Sequence, residues 1–333
     1  MMKTLIKKGF FRIMVLLIST GTIFTSCVDQ KRQGEAETWA EKLGFPPGKR
    51  VIILHADDAG MCGAANLATA ELLENDHIQS TAVMVPCPKA DEFIQWAVEH
   101  PGEDVGLHLT LTSEWKHYRW GPVSDPDSVP GLIDPDGMLW RSVPEVLTNA
   151  TPEEIEKEIR AQIERSIALG YQPDHIDSHM GTLFSHPDYL NLFLKVAEAY
   201  HIPANALNFA DTALVSKLRE AGYPIDERVI EIMNAYTLPK LDYITWVPKG
   251  KSYDDVMDKF KTMVSTLSPG LIEIVFHPSV ETEALKTITN SWQQRVWEYE
   301  MFSDPGLKSF FEKEGIIFTN WREVMAKFEL ISQ

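Results

Sequence analysis

Short apolar runs that end on an Asp or a His recur along this chain, with helical patterns between them. VIILHA at 51–56 leads into Asp57 and Asp58. VGLHLTL at 105–111 carries His108, and HIDSH at 175–179 carries Asp177 and His179. LIEIVF at 271–276 leads into His277. STAVMV at 80–85 and GIIFTN at 315–320 read as further strands. Helical spacing fills 64–76, 90–100, 189–200, 291–304 and 321–330. The clearest helix is 151–170, where Thr151 caps, Glu153 and Glu154 favour the first turn, and Gly170 stops it.

Strand and helix in alternation predict an α/β fold with a mainly parallel sheet. About seven such strands fit one domain built as a complete, distorted or incomplete (β/α) barrel of the TIM type. An open doubly wound sheet is the alternative, but neither G-x-G-x-x-G nor a Walker A loop is present to support a nucleotide fold. A barrel gives the recurring Asp and His residues a meaning, because the C-terminal ends of its strands converge on one face. Each residue alone has a bland reading: Asp57-Asp58 as a turn, His108 as a core histidine, His277-Pro278 as a strand terminator. Together, at equivalent strand ends, they are costly to bury without a use.

One carboxylate and two imidazoles suit Zn²⁺ and other divalent metals, and leave positions open for water and substrate. A second carboxylate beside such a site can take a proton from water, and a His opposite can protonate a leaving amine. Residues 112–150, rich in Pro, Asp and Trp, form a long excursion that reads as a lid or substrate loop. Its Trp115, Tyr118 and Trp120 are candidate sugar-stacking rings, or else pins that hold the loop down.

The termini and charge set limits. Residues 1–12 are basic, 13–24 are apolar, and Thr25-Ser26-Cys27 precedes a polar stretch. That order reads as a lipoprotein signal over 1–27 with a lipidated Cys27, a linker over 28–45, and the domain over 46–333. It implies an exported bacterial protein anchored to a membrane, most simply the outer one, through lipid alone. Lys and Arg number 31 against 48 Asp and Glu, a net −17; the first 26 residues hold four bases and no acid, leaving −21 on the rest. Such a surface repels phosphate backbones, so nucleic-acid partners are excluded. Cys62 and Cys87 could pair or stay as buried thiols, and self-association into a homo-oligomer stays open.

H-A-D-D-A-G at 55–60 resembles the N-A-D-D-F-G of the YdjC-like (ChbG/HpnK-type) carbohydrate deacetylases. S-T-A-V-M-V (80–85), V-G-L-H-L-T-L (105–111), P-D-H-I-D-S-H (173–179) and E-I-V-F-H-P-S (273–279) resemble that family in the same order. The resemblance implies a barrel-like fold and a metal-dependent hydrolase that removes N-acetyl groups from amino-sugar carbohydrates. It implies Asp58, His108 and His179 as ligands of a divalent metal, Zn or Mg. It implies Asp57 as general base, His277 as general acid, and Asp177 as a residue that orients a ligand. The chain departs where the family continues H-x-H-x-H, having Gly181 and Leu183, and also at Ala59 and Ser279. Alternatives are a phosphoesterase, for which no Arg or Lys lies in the five motifs and only Lys116 and Arg119 are near, or a non-catalytic glycan-binding lipoprotein.

Overall fold

The computed structural model describes residues 37–220 and 225–332. The address expected over 1–27 lies outside the described residues. The linker expected over 28–45 is in part folded. Thr38 and Glu41 form a capping box on the helix Trp39–Lys42, and Ala40, Leu43 and Phe45 are buried. The apolar side chains among these residues drive that packing, and the Asp242 carboxylate accepts from the backbone N–H groups of Trp39 and Ala40.

Among the described residues, seven parallel strands make the sheet: β1 (Arg50–Ala59), β2 (Ser80–Val83), β3 (Val105–Leu109), β4 (Ile176–Ser178), β5 (Tyr243–Trp246), β6 (Gly270–Phe276) and β7 (Ile317–Phe318). Their order is β4-β3-β2-β1-β6-β5, with β7 against β1. The long β1 serves three neighbours: β6 along its length, β7 at Val51 and Ile52, and β2 from His55 onward. The sheet curls into a half-barrel. Residues 204–207 connect its edges, since Ile176 bridges Ala204 and Leu207 bridges Leu241, both in parallel. This is the distorted (β/α) barrel that the alternation predicts. The sequence reading did not include β5, a short edge strand whose residues are partly exposed.

Side chains alternate across each strand, so the two faces of the sheet separate cleanly. Ile52, Leu54, Leu107, Ile176, Ile272, Ile274 and Phe276 face outward into the main core beneath the helices. Val51, Ile53 and Leu271 face inward and pack with Trp321, Val324, Leu43 and Phe45. The helix Trp321–Ile331, capped by Asn320, thus closes the floor of the barrel. Higher on the same inner face the residues turn polar, and there the site begins.

The excursion at 112–150 is folded rather than open. It holds 3-10 turns at Pro126–Ser128 and Pro130–Leu132 and a helix at Val143–Asn149, with Val129, Leu132, Leu139 and Val146 buried. The helix Pro152–Ala168 holds it in place, with the capping box of Thr151 and Glu154. The Glu158 carboxylate accepts from Val123 and Ser124 N–H, and Gln162 bonds both N–H and C=O of Thr110. Cys62 and Cys87 are both buried free thiols.

Candidate active site

The two adjacent aspartates do not follow β1; they lie within it. In a regular strand, neighbours point to opposite faces. Here the pairing with β2 slips between Ala56 and Ala59, and Asp58 adopts φ 66° in the left-handed region. A bulge of this kind re-aims a side chain. It turns both carboxylates toward His108: Asp57 Oδ1 lies 3.7 Å from Nδ1 and Asp58 Oδ1 lies 3.6 Å from Nε2. The strained backbone is held by Gly60, whose N–H donates to Asn66 Oδ1 at 2.7 Å.

His108 projects inward from β3, and His179 follows β4. Their facing atoms, His108 Nε2 and His179 Nδ1, are 3.0 Å apart, and each lies 3.6 Å from Asp58 Oδ1. The outward nitrogens are engaged elsewhere. His108 Nδ1 lies 2.5 Å from Asp177 Oδ1, and His179 Nε2 lies 3.2 Å from Glu114 Oε2. A carboxylate can only accept, so each outward nitrogen carries a proton, and each inward nitrogen is the one that can offer a lone pair to a cation. Asp58 Oδ2 accepts from Arg295 Nη2 at 2.5 Å, while its buried Oδ1 has no hydrogen-bond partner. Two imidazole lone pairs and an orphaned carboxylate oxygen therefore converge.

That donor set fits a divalent cation. The ligand atoms of Asp58, His108 and His179 lie within 4.8 Å of one another, and all three residues are buried. The groups His55/His175/Asp177 and Asp57/His108/Asp177 meet the same distance. In both, however, a carboxylate oxygen of Asp177 is already taken by a histidine, whereas Asp58 Oδ1 has no hydrogen-bond partner. The electrostatics agree. Burial opposes a charge on His108, but Asp177, Asp57 and Asp58 outweigh it and raise its pKa to about 10. Burial likewise opposes the Asp58 anion, and Arg295, His277, His179 and His108 hold its pKa far below the usual carboxylate range. The cluster favours positive charge at its centre, as a metal would supply.

His277 is the first residue beyond β6. Its Nε2 lies 3.8 Å from Asp57 Oδ2, its side chain is 36% exposed, and its backbone N–H donates to Glu298. Asp177 sits on β4 in register with His108, and bridges His108 and His55. All six residues singled out from the sequence thus meet at one place.

The loop aromatics divide. Trp120 is 3% exposed and gives its indole N–H to the Thr112 carbonyl. It is a pin, and the expectation that it stacks on sugar is corrected: a buried face has nothing to offer a ligand. Tyr118 is half-buried with its hydroxyl on the Met61 carbonyl at 2.8 Å. Trp115 packs edge-on to Trp120 at 5.2 Å, with the Arg295 guanidinium 5.9 Å from its ring.

Sequence reasoning missed Arg295, Glu114, His55 and Trp246. Arg295 comes from the helix Trp292–Phe302, with no local signal that its side chain would reach β1. Glu114 lies just past β3, and its pKa is lowered, against burial, by His179. It takes the outer nitrogen of His179, while Leu183, at a position where the family pattern has a further histidine, is buried in the core. Trp246 ends β5 and is 50% exposed. Thr245 bonds Met263 on the outer side, so strand alternation puts Trp246 on the inner face, in register with Val275.

Residues 51–313 match the family described as YdjC-like protein. The chain is 26% identical to the carbohydrate deacetylase of Thermoanaerobacter pseudethanolicus, covering 82% of this chain and 98% of that one. It is 29% identical to that of Thermus thermophilus (80% and 91%) and 30% identical to that of Brevibacillus brevis (82% and 99%). A solved structure from Enterococcus faecalis, named as a candidate cellobiose-phosphate cleavage protein, superposes with a TM-score of 0.68 at 23% identity. It covers 83% of this chain and 99% of that one, and shows the same fold.

The comparison corrects one expectation. The family match begins at residue 51, and about four-fifths of this chain spans nearly all of the deacetylase of Thermoanaerobacter pseudethanolicus. The segment that suggested an exported, lipid-anchored protein lies outside that match. No helix among the described residues is long and apolar enough to cross a membrane. The lipoprotein placement is withdrawn. With the match and the assembled site lying on the same span of sequence, the chain belongs to the YdjC-like family, in which the relatives above are named carbohydrate deacetylases.

Proposed function

We propose that the chain is a carbohydrate deacetylase that hydrolyses N-acetyl groups on an amino-sugar-containing substrate. The observation that carries this reading is the convergence of Asp58 Oδ1, His108 Nε2 and His179 Nδ1, all buried and all with outward contacts already made. These three residues would hold a divalent cation, Zn²⁺ or Mg²⁺. When bound, it polarises the acetamide carbonyl and makes water a better nucleophile.

The chain's own residues do the rest. Asp57 takes a proton from the attacking water at Oδ2, since Oδ1 is held 3.0 Å from His55. His277 Nε2, across from Oδ2 at 3.8 Å and open to solvent, gives a proton to the leaving nitrogen as the C–N bond breaks. Acetate and a free amino sugar result. Asp177 and Glu114 fix the two imidazoles in the tautomers that direct lone pairs inward. Arg295 holds Asp58 at its other oxygen. Trp115 and Trp246 offer ring faces beside the site, suited to a pyranose.

A phosphoester substrate is less well served. Arg119 is committed to Asp134 at 2.7 Å and to the Leu139 carbonyl, and Arg295 is committed to Asp58. The test is acetate release from a panel of N-acetylated oligosaccharides by the purified chain loaded with Zn²⁺ or Mg²⁺. Release that a chelator abolishes supports the reading. Release unaffected by Asp58→Ala or His179→Ala overturns it.

A further inference from the structure

Directly beneath Asp57 lies a fully buried histidine that the reaction above does not use. His55 Nδ1 lies 3.0 Å from Ser80 Oγ, and the Ser80 hydroxyl donates its only proton to Asp104 Oδ1 at 2.7 Å. The Ser80 oxygen can then only accept, so His55 Nδ1 is a donor. The other nitrogen, Nε2, hydrogen-bonds Asp177 Oδ2 at 3.1 Å and lies 3.0 Å from Asp57 Oδ1. Both of these are carboxylate oxygens, so Nε2 is a donor too. With a proton on each nitrogen the ring is a cation.

We propose that His55 is a positioning residue, held as a buried imidazolium that fixes Asp57 and Asp177 from below the site. The inference rests on the deacetylase reading and deepens it. His55 has no exposed surface, and three carboxylates surround it: Asp57, Asp177 and Glu273. Glu273 gives one oxygen to Trp321 Nε1 at 2.9 Å and leaves the other unpartnered. His175 stands edge-on to His55 at 5.0 Å and stacks on Trp321, sealing the pocket from the floor. Gly106 permits this closure, because a Cβ there would meet His175 Nε2 at 2.3 Å. Burial opposes the charge on His55, but Glu273, Asp177 and Asp57 outweigh it, and its pKa is raised well above the ordinary value.

The consequences are directional. The His55 charge lies 3.0 Å from Oδ1 of Asp57 as an ion-pair contact, while Oδ2 lies toward His277. His55 occupies Oδ2 of Asp177 and leaves Oδ1 for His108. One cation therefore sets the orientation of the proton acceptor and of one metal-ligand support together.

The test has two arms. Histidine-selective ¹⁵N NMR on the metal-loaded enzyme, assigned with His55→Asn, should show one imidazole with both nitrogens protonated. That pattern should persist from about pH 6 to pH 9, across which an ordinary histidine (pKa about 6.5) loses its proton. A neutral-tautomer pattern for His55 overturns the proposal. In the second arm, His55→Leu should lower kcat about 100-fold with KM and metal content unchanged, and His55→Asn should recover part of the loss. A wild-type kcat in His55→Leu overturns the proposal. The NMR arm needs no turnover, so it separates failure of this inference from failure of the deacetylase reading.

Discussion

The inner face of the half-barrel has a lower and an upper half built from the same strands. On β1 the inward residues run Val51, Ile53, His55, Asp57; on β6 they run Leu271, Glu273, Val275, His277. The lower positions pack against Trp321 and Val324 in a dry plug. Two to six residues further along, the same alternation presents ionisable groups that face one another. The difference teaches how a parallel barrel separates its tasks. Apolar burial at the floor supplies stability, and this fixes the strands whose upper ends bring together His55, Asp57, Asp58, His108, Asp177, His179 and His277. The polar half costs stability, so the floor must offset it.

Substitutions in the two halves should therefore give opposite signatures. The largest effect is expected from Asp57→Asn, which keeps shape but removes the proton acceptor. Acetate release should fall by about 10³–10⁴-fold while metal content and thermal stability hold. Next comes Leu43→Ala at the floor, which removes a buried side chain of the plug that packs with Val51, Ile53 and Leu271. Denaturant unfolding should show a loss of about 2–5 kcal/mol, with kcat near wild type wherever the protein is still folded. A large fall in kcat at full folding would show that the halves are not separable.

A smaller effect tests the rim. Trp246→Ala should raise KM about tenfold and spare kcat, because a stacking face contributes about 0.5–1.5 kcal/mol to holding a ring. Trp120→Ala, in contrast, should lower stability rather than raise KM alone. The smallest effect is expected outside both halves. Thr151→Ala removes the cap of the helix Pro152–Ala168 and should cost about 1 kcal/mol of stability with no change in either kinetic constant.

Much of this arrangement is legible in the sequence, for a physical reason. Strand runs that end on Asp or His are local patterns, and the barrel makes their ends neighbours whatever the connections do. Asp57, Asp58, His108, Asp177, His179 and His277 could be chosen on that ground. Three things were not legible. The bulge at Asp58 is a property of pairing with β2, so the sequence places the aspartates after β1 rather than inside it. Arg295 reaches the site across 237 residues from a helix that looks ordinary in isolation. Trp246 lies on a four-residue edge strand, too short a run to stand out as one. His55 was within reach, since it is two residues before Asp57 and must share its face. Its charge state is set by Ser80, Asp104 and Asp177, from three other segments.

The segment at 1–27 carries a contrasting lesson. A basic stretch, an apolar run and a cysteine make a recognisable address, but the family match does not extend to it. A strong pattern outside the family match is weaker ground than a weaker pattern repeated through it.

The central claim is that Asp58, His108 and His179 form one metal site, with Asp57 beside it but not in it. Its most direct test is a stoichiometric Zn²⁺ titration of the wild-type chain and of the Asp57→Asn, His108→Ala and His179→Ala variants. The account predicts one tightly bound ion per chain in wild type and in Asp57→Asn, and loss of tight binding in both histidine variants. Unchanged binding in His108→Ala and His179→Ala, or its loss in Asp57→Asn alone, would contradict it.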